Sequence, residues 1–323
     1  MKIALDVMGG DYAPDSTIDG ALNFSQSLND LDNVHTIYLV GDENIIEKAL
    51  DRKKVSKHLL QIFKIKHAHQ TIAMDDRPSR VIKSKPDSSM FKSIQLLKQS
   101  KVDAVVSAGN TGALLAYSLF TLGLIKDIKR PTLAPYIPTQ NEGFILCDVG
   151  ANINVRAEHL LQFALMATSY IKCFKAIDNP RIGLLNIGKE AQKGTEVLIE
   201  SYKLLSSNLD NFVGNIEARY IFENQADIII TDGFTGNILL KAIEGINSHI
   251  LNWISSSIPK ESKTILNVLH NFKNLHNHEQ YGATPLLGVN GLILKSHGSC
   301  KKLGITNSLI SAKKYYEANL VEN

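Results

Sequence analysis

Two stretches of this chain repeat one pattern, and that pattern narrows what the chain can fold into. Asp103-Ala-Val-Val-Ser-Ala-Gly-Asn-Thr-Gly-Ala-Leu-Leu-Ala116 opens with a short apolar run, turns on two glycines, and continues with Leu114, Leu115 and Leu119 at helical spacing. Asp227-Ile-Ile-Ile-Thr-Asp-Gly-Phe-Thr-Gly-Asn-Ile-Leu-Leu240 matches it position by position: Asp103 with Asp227, Ser107 with Thr231, Gly109 with Gly233, Gly112 with Gly236. The order strand, glycine turn, helix directs backbone N–H groups above the strand end, which makes an anion-friendly corner. Two such corners predict an α/β chain with its ligand at strand carboxyl ends, both corners facing one cleft.

The rest of the chain fits that reading. Met1-Lys-Ile-Ala-Leu-Asp6 reads as a first strand, followed by a loop and a helix capped by Asp15 or Ser16. Val34 to Val40, Leu60 to Lys66, Thr132 to Ile137, Gly143 to Cys147, Arg181 to Leu185 and Phe212 to Glu217 read as further strands, with a polar turn at Thr139 to Glu142. Helices are expected near 157–171 and 195–205, and near Met90 to Leu97, the last capped by Asp87. The alternation predicts a mainly parallel sheet flanked by helices on both faces, in one unit over residues 1–323. Residues 104–125 carry no charge, and 22 residues could span a bilayer, but Gly109-Asn-Thr-Gly112 inside them favours strand–turn–helix.

Composition excludes more than it suggests. A net charge of +3 gives no reason to expect nucleic acid. Cys147, Cys173 and Cys300 are scattered and odd in number, which suits a reducing cytoplasm and gives no metal spacing. No Walker motif, dinucleotide glycine fingerprint or nucleophile elbow is present. Between 77 and 101 there are seven basic residues against Asp87 alone, a segment that reads either as a solvated face or as a dock for an acidic partner. Residues 243–276 read as a helical hairpin. Ile243, Ile246, Ile250, Ile254 and Ile258 line one helix face beside Trp253, Pro259 stops it, and Lys260 to Ser262 connect. Ile265, Leu266, Leu269, Phe272 and Leu275 form a second stripe. It suits a dimer interface, a membrane surface or both.

Seven segments, taken in order, resemble one family. They are Asp6-Val-Met-Gly-Gly-Asp-Tyr-Ala-Pro14, Ser107-Ala-Gly-Asn-Thr-Gly-Ala113, Asp148-Val-Gly-Ala-Asn152, Leu184-Leu-Asn-Ile-Gly-Lys-Glu-Ala-Gln-Lys-Gly194, Gly214-Asn-Ile-Glu217, Thr231-Asp-Gly-Phe-Thr-Gly-Asn237, and Gly288-Val-Asn-Gly291 with His297-Gly298. Together they resemble the phosphate acyltransferases of bacterial phospholipid synthesis, the PlsX family. Ala218 and Tyr220 stand where that family usually has Gly and Asp, and Cys300 where it has Ser, which argues against Cys300 as an obligatory nucleophile.

The resemblance implies a fold like the phosphate acetyltransferases and the isocitrate and isopropylmalate dehydrogenases. It implies a homodimer, located in the cytoplasm and peripherally on the membrane. The implied reaction is reversible acyl transfer from acyl-acyl-carrier protein to inorganic phosphate, serving a membrane-bound glycerol-3-phosphate acyltransferase downstream. No cofactor, metal or nucleic acid is expected.

Such chemistry needs held phosphate and a stabilised oxyanion rather than a strong base, because phosphate is already charged and a thiol of pKa ~8.5 leaves readily. The candidate catalytic residues are therefore Asn186, Lys193 and His297. Substrate binding is expected from Ser107, Asn110, Thr111, Gly112, Asn152, Lys189, Asp232, Thr235, Gly236 and Asn237. Lys189 and Lys193 are read as sharing a helix face, and Asp148 and Asp232 as orienting lysines or bonding backbone N–H groups. Arg77, Arg80, Lys83 and Lys85 are expected to dock the carrier protein. Acyl-coenzyme A as donor, a metal-dependent decarboxylating dehydrogenase and a membrane scaffold are the rival readings.

Overall fold

A computed structural model describes residues 1–28, 36–140, 142–257 and 263–321. The chain divides into two compact units, residues 1–131 with 281–323, and residues 132–280. Each unit contains one of the two repeated stretches.

The first unit begins with β1 (Lys2–Asp6), α1 (Asp15–Ser27), β2 (Thr36–Gly41), α2 (Glu43–Arg52), α3 (Lys57–Leu60) and β3 (Phe63–His67). It continues through α4 (Pro78–Ser84), α5 (Ser89–Lys98), β4 (Ala104–Ser107) and α6 (Thr111–Thr121). The second unit holds β5 (Thr132–Leu133), β6 (Tyr136–Ile137), β7 (Phe144–Cys147), α7 (Ala157–Lys175), β8 (Ile182–Asn186), α8 (Glu196–Asn208) and β9 (Phe212–Glu217). It ends with β10 (Ile228–Ile230), α9 (Gly233–Ser257) and α10 (Lys263–Leu275). The chain then returns to the first unit as β11 (Thr284–Leu287), β12 (Leu292–Lys295) and α11 (Lys302–Glu317).

In the first unit the hydrogen-bonded order is β3-β2-β1-β4-β12-β11, parallel except for the β11–β12 pair. Ile3 to Leu5, Ala104 to Val106 and Leu292 to Leu294 are buried, as continuous apolar runs in a sheet covered on both sides should be. Helix α5 packs on β1, β2 and β4, while α11, itself packed on α1, covers β4 and β12. The second unit's order is β6-β7-β10-β8-β9, parallel except for β6–β7. Helix α7 covers β7 and β10, and α8 lies on β9 and α7. The mainly parallel, helix-flanked architecture expected from the alternation is present.

Local expectations fail in three places. Helix α1 starts at Asp15 after Pro14 without a capping side chain. Ser88, not Asp87, caps α5: its Oγ accepts the Phe91 N–H, while Asp87 accepts the His69 N–H and pairs with Lys92. Helix α9 begins at Gly233, so the second repeated turn and the first arm of the expected hairpin are one 25-residue helix. Val34, Asn141, Ile258 and the connector Pro259 to Ser262 lie outside the described residues, as do the side chains of Lys263 and Leu266. Among the described residues no helix is long and apolar enough to cross a membrane.

Candidate active site

In the first unit the turn after β4 is built over a buried carboxylate. Asp6, at the end of β1, accepts the Ser89 Oγ–H at 2.6 Å and the Ser107 Oγ–H at 2.7 Å. Ser107 Oγ in turn accepts the Gly109 N–H at 3.1 Å. Burial pushes the Asp6 carboxyl up, against these bonds and the nearby Lys295 charge. Gly9 is required beside it, since a Cβ there would lie 2.5 Å from Asp6 Oδ2.

Asn110 caps α6, with its Oδ1 accepting the Ala113 N–H at 2.9 Å. Its Nδ2 donates to the carbonyls of Met74 at 2.8 Å and Asp76 at 3.1 Å. Tyr117, two turns further along α6, places its hydroxyl 2.8 Å from the carbonyls of Val81 and Lys85. Segment 73–85 is thereby clamped onto α6, and Pro78 lies where a Cβ on Gly112 would be. Asn110 is buried, and its amide N–H groups are taken by these carbonyls, so the side chain closes the turn. Thr111 and Gly112 form the first residues of α6 and are half-buried.

The same unit holds His297, whose Nδ1 lies 2.8 Å from Ser299 Oγ in the loop after β12. That loop is fixed by the Asp11 N–H, which donates to the Gly298 carbonyl at 2.8 Å. Arg77, Arg80 and Lys83 are exposed on and beside α4, whereas Lys85 is tied to Asp76 and the Thr71 carbonyl. The Lys85 side chain beside it holds the Asp76 carboxyl below the usual carboxylate range.

In the second unit the corresponding buried carboxylate is Asp148, one residue beyond β7. It accepts the Leu133 N–H at 3.0 Å, the Asn152 N–H at 2.7 Å, the Asn152 amide at 3.0 Å and the Thr132 hydroxyl at 3.0 Å. Burial pushes its carboxyl up as well. The Asn152 carbonyl accepts the Gly233 N–H at 2.7 Å, joining the loops after β7 and β10. Gly233 and Gly236 both leave no room for a Cβ, which at Gly236 would sit 2.0 Å from the Asp148 carbonyl oxygen. Asp232 accepts the Thr235 N–H at 2.8 Å and its hydroxyl at 2.7 Å. Asp148 and Asp232 thus bond backbone N–H groups, one of the two roles expected of them. Thr235 and Asn237 are exposed, and the Asn237 side chain has no hydrogen-bond partner among the described residues.

The loop after β8 is a closed turn, not the helix expected from the Lys189–Lys193 spacing. Asn186, buried at the end of β8, accepts the Ile187 N–H at 2.8 Å and donates to the Lys193 carbonyl at 3.0 Å. Asn215 on β9 donates to the Glu190 carbonyl at 2.9 Å. Gly194 at φ +93° completes the turn, where a Cβ would lie 2.6 Å from Asn186 Oδ1. Lys193 is exposed, and Lys189 rests over the Tyr220 ring at 4.7 Å.

Both corners therefore set small residues and backbone N–H groups over a buried aspartate at parallel strand ends. Over residues 1–323 the chain matches the family described as fatty acid synthesis protein. It is 41% identical over 317 residues to a phosphate acyltransferase of Macrococcus caseolyticus, covering 96% of this chain and 93% of that one. The chain belongs to the phosphate acyltransferase family. It is accordingly a transferase. A phosphotransacetylase from Streptococcus pyogenes shares the fold at a TM-score of 0.65 and 15% identity, covering 100% of this chain and 94% of that one. A 4-hydroxythreonine-4-phosphate dehydrogenase from Klebsiella pneumoniae shares it at 0.53 and 11% identity, covering 98% of each.

Within this family member, two residues that support or flank the first turn escaped the sequence reading. Lys295 ends β12 in register with Ser107 and reaches the carbonyls of Ser296 and Ala108, bringing a cation beside the first turn. Asp6 supports that turn from beneath. The signal for Asp6 was its place at the head of a family-matching segment; Lys295 had none, because only the pairing of β12 with β4 brings it there. Among the described residues no group of three or more His, Cys, Asp or Glu side chains could hold a metal ion.

Proposed function

We propose that the chain transfers a fatty acyl group from acyl-acyl-carrier protein to inorganic phosphate, giving acyl phosphate for phospholipid synthesis. A phosphate oxygen forms a bond to the thioester carbonyl carbon. The C–S bond then breaks, the thiolate leaves with the electron pair, and it takes a proton from water. Phosphate needs no base to become a nucleophile, and the thiol of pKa ~8.5 needs no strong acid to leave. The protein's task is to hold the dianion and stabilise the oxyanion. Lys193, Lys189, Asn237 and the Thr235–Gly236 turn are the ligands assigned in the second unit, with Asn152 bracing Asp148 beneath them. In the first unit Thr111, Gly112 and His297 are assigned to substrate, and Ser107 supports that turn through Asp6 and Gly109. Asn186 acts by holding the loop that carries both lysines.

The observation that carries this reading is family membership joined to two glycine turns over buried aspartates. The carrier-protein donor is supported by Arg77, Arg80 and Lys83, exposed on and beside a helix clamped to the first turn. Exposed Ile246 and Trp253 on α9, with Ile265 and Val268 on α10, support membrane contact or a homodimer through the hairpin. Membrane contact would deliver the lipid-like product to a membrane-bound glycerol-3-phosphate acyltransferase.

The test is phosphate-dependent release of free carrier-protein thiol, with acyl-coenzyme A as competing donor. Reversing Arg80 and Lys83 to Glu is expected to slow turnover of the carrier-bound donor, more at low salt, and to spare a small donor. Equal turnover of both donors by the variant and the native protein would remove the carrier assignment.

A further inference from the structure

The second unit's sheet carries three large apolar side chains that its core does not bury. Ile153 is 68% exposed, Ile187 80% and Phe234 57%. Ile153 and Ile187 stand on the loops that follow β7 and β8, and Phe234 on the first turn of α9, just after β10; the three strands are neighbours in the order β7-β10-β8. All three strands run parallel, so the three residues lie at the same, carboxyl end of the sheet, spread over about 10 Å. Ile153 and Phe234 are brought together more closely, because each follows a residue of the Gly233–Asn152 backbone hydrogen bond. One turn along α9, Ile238 is 54% exposed and extends the strip on the Phe234 side.

Each apolar residue is a chain neighbour of a polar candidate: Ile153 of Asn152, Ile187 of Asn186, and Phe234 of the Asp232–Thr235 turn. That alternation suits a substrate with a charged end and an apolar end. In the transfer reaction the acyl carbonyl carbon bonds directly to a phosphate oxygen. The alkyl chain therefore has to leave the site within a bond or two of the phosphate ligands. Exposing three large apolar side chains there disfavours the free protein in water, and covering them with an alkyl chain relieves that.

We infer that Ile153, Ile187 and Phe234 form the surface that receives the alkyl chain of the acyl substrate and so set chain-length preference. The inference rests on the phosphate acyltransferase reading and adds a specificity surface to it.

The experiment compares acetyl- and hexadecanoyl-pantetheine as donors at fixed phosphate, following thiol release. The native protein is set beside Ile153→Ala, Ile187→Ala, Phe234→Ala and Phe234→Leu. The quantity read is the ratio of kcat/KM for the long donor to that for the short one. It should fall about tenfold in Phe234→Ala and severalfold in each isoleucine variant, with Phe234→Leu restoring most of it. If only carrier-bound donors turn over, the same ratio is read with acetyl- and hexadecanoyl-carrier protein. An unchanged ratio in the alanine variants overturns the inference even where both rates fall. An unchanged ratio with loss of an oligomer by light scattering overturns it in favour of a second copy on this face. A native protein that makes acyl phosphate only from the acetyl donor overturns the inference while leaving phosphate acyl transfer intact. A native protein inactive with every donor overturns the parent reading and the inference with it.

Discussion

The turn at Ser107–Gly112 and the turn at Thr231–Gly236 share their construction and differ in what lies over them. Each central strand is preceded by an aspartate that accepts a backbone N–H from the start of the neighbouring strand: Asp103 accepts the Lys2 N–H at 2.6 Å and Asp227 the Arg181 N–H at 2.7 Å. Each ends in a hydroxyl residue and a glycine packed close to a buried carboxylate, Asp6 or Asp148. The first turn is then closed by segment 73–85, through Asn110 and Tyr117. The second is left open, with Phe234, Thr235 and Asn237 exposed. A repeated motif thus fixes a backbone shape without fixing its use. The side chain at the cap, Asn110 against Asp232, decides how much of the surroundings the turn draws in.

The largest effect expected is at the glycines. A Cβ at Gly236 meets a backbone oxygen at 2.0 Å, which has nowhere to move, whereas one at Gly109 meets the flexible end of Met90 at 2.6 Å. Gly236→Ala should destabilise by about 3 kcal/mol and Gly109→Ala by about 1 kcal/mol, read from urea denaturation. Equal midpoints for the two variants would break the distinction between a rigid and a yielding corner.

Next in size is the loop beside the open turn. Lys193→Ala and Asn186→Ala should each lower kcat/KM for phosphate about ten- to hundredfold, equivalent to roughly 1.5–3 kcal/mol of charge-assisted contact. The Asn186 variant acts by releasing the loop, so it should also increase proteolysis near Glu190. Unchanged phosphate kinetics in both would remove this loop from the site.

A third comparison sets the two strand-start aspartates against each other. Burial pushes the Asp227 carboxyl up, but hydrogen bonds from the Arg181 side chain and backbone, with its charge, outweigh that and leave it below its ordinary value. A lowered native value means the stabilisation is present above about pH 4 and is lost as pH falls through that native value. Asp227→Asn should therefore cost about 2 kcal/mol at neutral pH, with the difference from the native protein shrinking in acid. Asp103→Asn, at an exposed bond to Lys2, should cost under about 1 kcal/mol. A difference for Asp227→Asn that does not vary with pH would contradict the assignment of its pairing.

Much of this was legible in the chain itself. Alternating apolar runs and glycine turns gave the parallel sheets, because strand burial and turn geometry are written locally at residues such as Ala104 to Val106 and Gly233. The ordered motifs gave the family. What the chain did not show are the contacts made by distant residues. The clamp of Asn110 on 74 and 76, the pairing of Lys85 with Asp76, and the arrival of Lys295 beside Ser107 all depend on tertiary packing. The helical reading of Lys189 and Lys193 failed for the same reason. Their spacing suits a helix, but buried Asn186 and Asn215 take the backbone carbonyls of Lys193 and Glu190 and hold a turn instead.

The most direct test of a closed first corner and an open second one is a crossed pair of variants, Asn110→Ala and Asn237→Ala, each measured for stability and for phosphate KM. Asn110→Ala should lower stability by about 1–2 kcal/mol through loss of the cap and clamp, with phosphate KM close to the native value. Asn237→Ala should leave stability unchanged and raise phosphate KM about tenfold or more. The reverse pattern, with Asn110→Ala raising the phosphate KM at native stability and Asn237→Ala without effect on it, would contradict the account.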